Sequence, residues 1–240
     1  MNKRDYGRPY SLNSSELKGY LTGLIIGDAY ITSGIQKRRL ELKSTNKDFV
    51  EKVYCDLASC TNFKMRIVTN AAYTKDGVNH KESYTLVISA HPYFAKKYHH
   101  FYDDNRRRVV SAEAMKWITP AGIANWYMSD GYVCLVGKTK GDVRNRRVDI
   151  STDRYSYEAN VRLSEMMLKR FGIHTSVIKR GKFYRLRVQN ESYEDFFSLI
   201  APYVTPSMKY KLYLGYEKKP ERFSEEFWEF QDWLGSAIAC

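Results

Sequence analysis

Asp28 and Asp130 are the two residues whose types and spacing best suit chemistry. Each closes an apolar stretch that carries small or short residues at every fourth position. Gly19, Gly23 and Gly27 precede Asp28; in the second half of the chain, Ala121, Asn125 and Ser129 precede Asp130. On an α-helix such positions share one face. Glycine costs roughly 1 kcal/mol per site inside a helix, so a glycine stripe calls for a second backbone packed very close. A carboxylate at a helix C-terminus meets the negative end of the macrodipole and is easier to place if a cation sits beside it. Packed stripe to stripe, Gly19 and Gly23 would face Ala121 and Asn125 and bring the two carboxylates together. Asn125 is then expected to hydrogen-bond across that interface.

The elements that must position these acids recur in the same order. Residues 14–28 read as a helix with serine caps, after a polar arm at 1–13. Strands at 29–34 and 38–44, a helix at 47–58, strands at 63–69 and 83–90 and a helix at 93–101 follow. A charged connector at 103–108 leads into a linker at 109–118. Thr119-Pro120 then opens a second helix, ending at Asp130. Strands at 132–137 and 144–151, a helix at 157–171 ended by Gly172, strands at 174–179 and 183–189 and a helix at 193–200 complete the repeat. Each half reads α-β-β-α-β-β-α: an α+β fold of two antiparallel sheets, each with helices on one face only. The expected divisions are an arm 1–13, half-domains 14–108 and 119–214, the linker, and a helical tail 215–240.

The chain has 240 residues, 43% hydrophobic and 15% aromatic, with a net charge of +12. That is enough apolar material for a core, and the positive excess points to a polyanionic partner, nucleic acid first. There is no long apolar run and no signal-type start, so the expected location is intracellular. Cys55, Cys60, Cys134 and Cys240 form no C-x-x-C pair and show no zinc spacing with the histidines. Phosphate-binding glycine loops and a nucleophile elbow are also missing.

Leu21-Thr22-Gly23-Leu24-Ile25-Ile26-Gly27-Asp28-Ala29 resembles the signature of the LAGLIDADG homing endonucleases, and residues 123–131 resemble a more divergent second copy. Ile26, Met128, Ala29 and Asn125 depart from the motif; neither final aspartate does. The resemblance implies a single-chain, two-repeat enzyme, a monomer whose half-domains form a saddle for double-stranded DNA. It implies a metal set of Asp28, Asp130, Gly27 and Ser129 holding two or three Mg2+ ions, with Mn2+ or Ca2+ as substitutes. Two carboxylate-held metals can activate a water and stabilise the leaving oxygen of a phosphodiester, and magnesium suits carboxylates that leave room for waters. The family also places a basic residue after the last helix of each half, which points to Lys211 and Arg107 as catalytic companions.

Strand alternation selects the DNA-facing side chains. Arg39, Glu41 and Lys43, then Arg147 and Asp149, then Arg185, Arg187 and Gln189 alternate with apolar residues. Tyr30, Thr32, Arg38, Ser83, Thr85, Lys138, Lys140, Arg144, Lys179, Arg180 and Lys182 join them. A two-stranded ribbon fits the major groove, where Arg, Lys and Gln read base edges. The function implied is site-specific, metal-dependent hydrolysis of both strands of a long asymmetric DNA target. The alternatives are an RNA maturase assisting a group I intron, with intron RNA as partner, and a non-cleaving DNA-binding protein on the same fold.

Overall fold

The computed structural model describes residues 14–34, 37–136, 145–215 and 221–239. The chain divides into two compact units, Met1–Gly122 with Thr205–Ser207, and Ile123–Val204 with Met208–Cys240.

In the first unit, α1 (Ser14–Ile26) leads to strands β1 (Tyr30–Ile31) and β2 (Leu40–Ser44) and helix α2 (Lys47–Cys60). Strands β3 (Met65–Asn70), β4 (Tyr73–Lys75), β5 (Val78–His80) and β6 (Ser83–Ile88) and helices α3 (Pro92–Lys97) and α4 (Ala112–Trp117) follow. The main sheet runs β1-β2-β6-β3 and is antiparallel throughout. Leu40, Leu42, Leu86 and Ile88 turn one face inward and are almost fully buried, together with Leu21, Leu24, Phe49 and Val53 from the helices. The α2 start is set locally: Asn46 Oδ1 accepts from the Phe49 amide at 2.9 Å.

The second unit repeats the plan. Helix α5 (Pro120–Asp130), whose residues up to Gly122 belong to the first unit, precedes β7 (Gly131–Val136), β8 (Asn145–Ile150), α6 (Tyr157–Phe171), β9 (Thr175–Arg180), β10 (Phe183–Val188), α7 (Tyr193–Ile200) and α8 (Glu225–Ala239). Its sheet order, β7-β8-β10-β9, is that of the first sheet. Val148, Ile150, Leu186 and Val188 face the helices, buried with Leu163, Met167, Phe196 and Phe197. Ser156 caps α6, and Gly172 ends it at φ 70°, a left-handed turn that suits glycine.

Two elements depart from expectation. The segment 109–118, expected as a linker, contains α4, capped by Ser111 and burying Ala114 and Met115 in the first unit. The loop expected between β3 and β6 folds into the β4–β5 hairpin, turned by Asp76 and Gly77 at φ 52° and 74°. Positive φ at both central residues is the hairpin turn that an Asp-Gly pair favours. Among the described residues, no helix is long and apolar enough to cross a membrane.

Candidate functional site

The stripe of α1 serves a close backbone crossing within the first unit. A Cβ added to Gly23 would lie 1.8 Å from the Gly122 carbonyl oxygen, and one added to Gly19 would lie 2.3 Å from the Thr119 methyl. The partner of the stripe there is therefore Gly122 with Thr119, two to three residues before the expected partners Ala121 for Gly19 and Asn125 for Gly23. Ala121 and Asn125 are both buried on α5. The repeat offset alone puts Ala121 and Asn125, not Gly122, opposite the stripe.

Beyond Ile26, the chain turns through Gly27 and the half-buried Asp28. Arg108 clamps this turn. Its Nη1 donates to the carbonyls of Ile25 at 2.5 Å and Gly27 at 3.0 Å, and its Nη2 to that of Ala29 at 2.7 Å. The guanidinium satisfies the helix's terminal Ile25 carbonyl and two carbonyls of the turn beyond it, and places positive charge at the negative end of the dipole. Arg107, the expected basic companion, is exposed and pairs only loosely with Asp103, 3.8 Å away. The bridge between Tyr102 and Arg108 explains the difference: it directs Arg108 and leaves Arg107 on the outside. Nothing in the spacing of three consecutive arginines separates them.

In the second unit, Lys211 reaches the end of α5. Its Nζ donates to the Met128 carbonyl at 2.5 Å, and its own carbonyl accepts from the Tyr127 hydroxyl at 2.8 Å. The Tyr127 side chain is fully buried, and burial pushes its pKa well above the usual phenol value. The Asp130 side chain is only 8% exposed and faces Arg154, with Nη2 3.7 Å from Oδ1. Arg154 was not anticipated; it lies in the turn between β8 and α6, where no alternation pattern marks it. Gly131 is required here, since a Cβ would lie 2.0 Å from the Tyr127 ring.

Each signature helix thus leads to an aspartate at a turn whose backbone carbonyls a basic side chain holds. The metal-ligand candidates are hard oxygen donors: the two carboxylates and the carbonyls of Gly27 and Ser129. Arg108 already occupies one side of the Gly27 carbonyl. Among the described residues, no three His, Cys, Asp or Glu side chains gather into a group that holds a metal by itself. At each helix end by itself, one carboxylate with one carbonyl fits an ion that keeps several waters and takes further oxygens from a phosphate, as Mg2+ does, and does not fit a protein-caged ion.

The sheet faces opposite the helices carry the polar alternation. Cross-strand register places Glu41 beside Tyr30 and Val87, and Lys43 beside Thr85. Arg66 of β3 pairs with Val87 and is exposed on this same face, a cation not anticipated. Thr32 turns its hydroxyl to the Arg39 amide at 3.1 Å. In the second sheet, Tyr132, Asp149 and Arg187 lie in one row, with Arg147 and Arg185 on the same face. Gln189 follows β10, half-buried.

Several expected DNA-facing residues do not present themselves this way. Arg38 shares the parity of Leu40, so its guanidinium lies 3.5 Å over the Tyr98 ring on the helix side. Ser83 is only 5% exposed, and Asn70 Nδ2 donates to its carbonyl and to the Thr85 hydroxyl. Lys179 pairs with Tyr184, which puts it on the face of Leu186; Arg180, opposite Phe183, takes the open face, with Lys182 in the exposed turn between. Glu41 and Asp149 are buried ion-pair partners: Arg39 Nε lies 2.5 Å from Glu41, and Arg187 grips Asp149 at 2.7 and 3.0 Å. Lys138, Lys140 and Arg144 lie outside the described residues.

The model of the LAGLIDADG DNA endonuclease family matches residues 18–196. The chain is 23% identical to a probable intron-encoded endonuclease of Wickerhamomyces canadensis, over 87% of this chain and 89% of that protein. It is 30% identical to part of a RecA protein of Mycolicibacterium flavescens, over 56% of this chain but only 33% of that one. Among solved structures, the homing endonuclease I-WcaI bound to its DNA recognition sequence superposes with a TM-score of 0.67 at 22% identity, covering 87% of this chain and 90% of that one. The paired signature helices, the repeated αββαββα plan and the family match agree: the chain belongs to the LAGLIDADG DNA endonuclease family.

Proposed function

We propose that this protein is a site-specific homing endonuclease that hydrolyses both strands of a long duplex DNA target, with Asp28 and Asp130 each serving one strand. The observation that carries this reading is the matched pair of helix ends, each carrying an aspartate at a turn whose backbone carbonyls a basic side chain holds. A divalent ion bound to such a carboxylate supplies an activated water and neutralises charge on the leaving oxygen.

The remaining roles fall to the chain's own groups. Arg108 holds the carbonyls on either side of Asp28, and Lys211 holds the carbonyl two residues before Asp130, so both act on where the acids sit. Arg154, beside Asp130, is placed to meet a phosphate oxygen as well as the carboxylate. Arg147, Lys43 and Arg66 give the sheet faces the positive charge that duplex phosphates attract. The relative from W. canadensis is described as an intron-encoded endonuclease and the I-WcaI structure holds its DNA target, and both support the assignment.

Sequencing the products of a randomised duplex library incubated with Mg2+ tests it. A single enriched site cut on both strands, with no cutting in chelator, is the expected result. Enrichment by binding without cutting would turn the assignment to a DNA-binding protein on this fold.

A further inference from the structure

We propose that Arg39 reads one guanine of the target and that Arg185, which the strand pattern marks equally, reads no base. This rests on the DNA reading above and adds which cation carries sequence information.

Both sheets build the same device at the same register: a tyrosine hydroxyl donates to a carboxylate that also holds an arginine. In the first sheet, Tyr30 stands directly opposite Glu41 and donates to its Oε2, while Arg39 Nε lies 2.5 Å from Oε1. In the second, Tyr132 stands opposite Asp149 and reaches Oδ2 at 3.4 Å, while Arg187 Nε and Nη2 take Oδ1 and Oδ2. Both carboxylates are withdrawn from water, with side chains 11% and 1% exposed.

The two repeats differ in which edge of the guanidinium this consumes. Arg39 commits only Nε, and its side chain is 50% exposed. Its Nη1 and Nη2 make no hydrogen bond to a described residue, and together they are the terminal fork that pairs with O6 and N7 of guanine. Its backbone is pinned on both sides, accepting from the Thr32 amide at 3.0 Å and donating to the Thr32 hydroxyl at 3.1 Å. Anchored Nε and pinned backbone present that fork without further ordering, which is where bidentate recognition gains its selectivity.

Arg185 spends all three nitrogens. Nε and Nη2 hold Asp153 at 2.6 and 2.7 Å, and Nη1 donates to the Tyr132 hydroxyl at 2.8 Å. Reading a base would require it to abandon a bidentate ion pair. Arg187 is intermediate, keeping Nη1 alone outside its pair, one nitrogen and no fork.

The test is selection of bound duplexes from a randomised library, sequenced for the wild-type chain and for Arg39→Ala, Arg39→Gln and Arg185→Ala. Both Arg39 variants should lose a guanine preference of about tenfold at one base pair, with other positions unchanged, and Gln should move that position toward adenine. Arg185→Ala should flatten no single position. Arg39 variants that lower binding to every sequence evenly would make Arg39 a phosphate contact and overturn the inference. So would an Arg185→Ala variant that loses one base preference. A wild-type chain that selects no duplex would overturn the proposed function itself, whereas a selected site untouched by Arg39 substitution overturns only this inference.

Discussion

The two repeats secure the ends of their signature helices with different chemistry. At the end of α1, one planar guanidinium, Arg108, spans three carbonyls. At the end of α5, the work is split: Lys211 takes one carbonyl and Arg154 faces the carboxylate itself. Arginine's fork matches several acceptors at once, while lysine is a point charge. Both helix ends are thus held by basic side chains, but the single guanidinium of the first repeat ties down more of the backbone than the lysine of the second. The sheet faces show the reverse. The second sheet locks Arg185 and Arg187 into bidentate pairs, and the first leaves Arg39 half in water.

That contrast can be broken at its strongest point first. Arg187→Ala leaves the Asp149 carboxylate buried without its bidentate partner and should cost about 3 kcal/mol in urea unfolding. The matching Arg39→Ala change, at a half-exposed pair, should cost less than about 1 kcal/mol. Equal costs would erase the difference between the sheets. Next comes the helix crossing: Gly23→Ala drives a methyl into the Gly122 carbonyl and should cost about 3 kcal/mol. The reverse change on α5, Ala121→Gly, should cost only about 1 kcal/mol. Arg108→Ala should lose about 2 kcal/mol, with Arg107→Ala within about 0.5 kcal/mol of wild type.

The smallest effect is a titration. The hydrogen bond to Glu41 raises the Tyr30 hydroxyl to about 12. Because the folded value lies above the unfolded one, the stability it contributes is present up to the ordinary phenol range near pH 10 and is lost as pH rises toward 12. Comparing the alkaline absorbance titration of the wild-type chain with Tyr30→Phe should remove one late-titrating phenol. Loss of a phenol that titrates near 10 would contradict the Tyr30–Glu41 bond.

Local signals carried far in the sequence. Helix α6 and its Gly172 stop were legible because caps act within a few residues, and the buried parity of Leu40, Val148 and Leu186 followed from alternation. Asp76-Gly77 is a hairpin signal, and the β4–β5 turn uses it. What alternation could not show was which polar residues pair with each other. Glu41, Asp149, Arg185 and Arg187 all sit on the open face as expected, yet their ion pairs bridge residues distant in sequence. Arg154 and the choice of Arg108 over Arg107 likewise depend on contacts across the fold, which one-dimensional spacing does not encode.

The proposed contribution of one aspartate from each repeat to cutting one strand is tested most directly by cleavage of a selected target in Mg2+ by Asp28→Asn and Asp130→Asn, with binding measured in parallel by salt-dependent titration. Loss of double-strand cleavage by at least about a thousandfold in each variant, with tight binding retained, is the predicted result. Cleavage at the wild-type rate by either variant would contradict it.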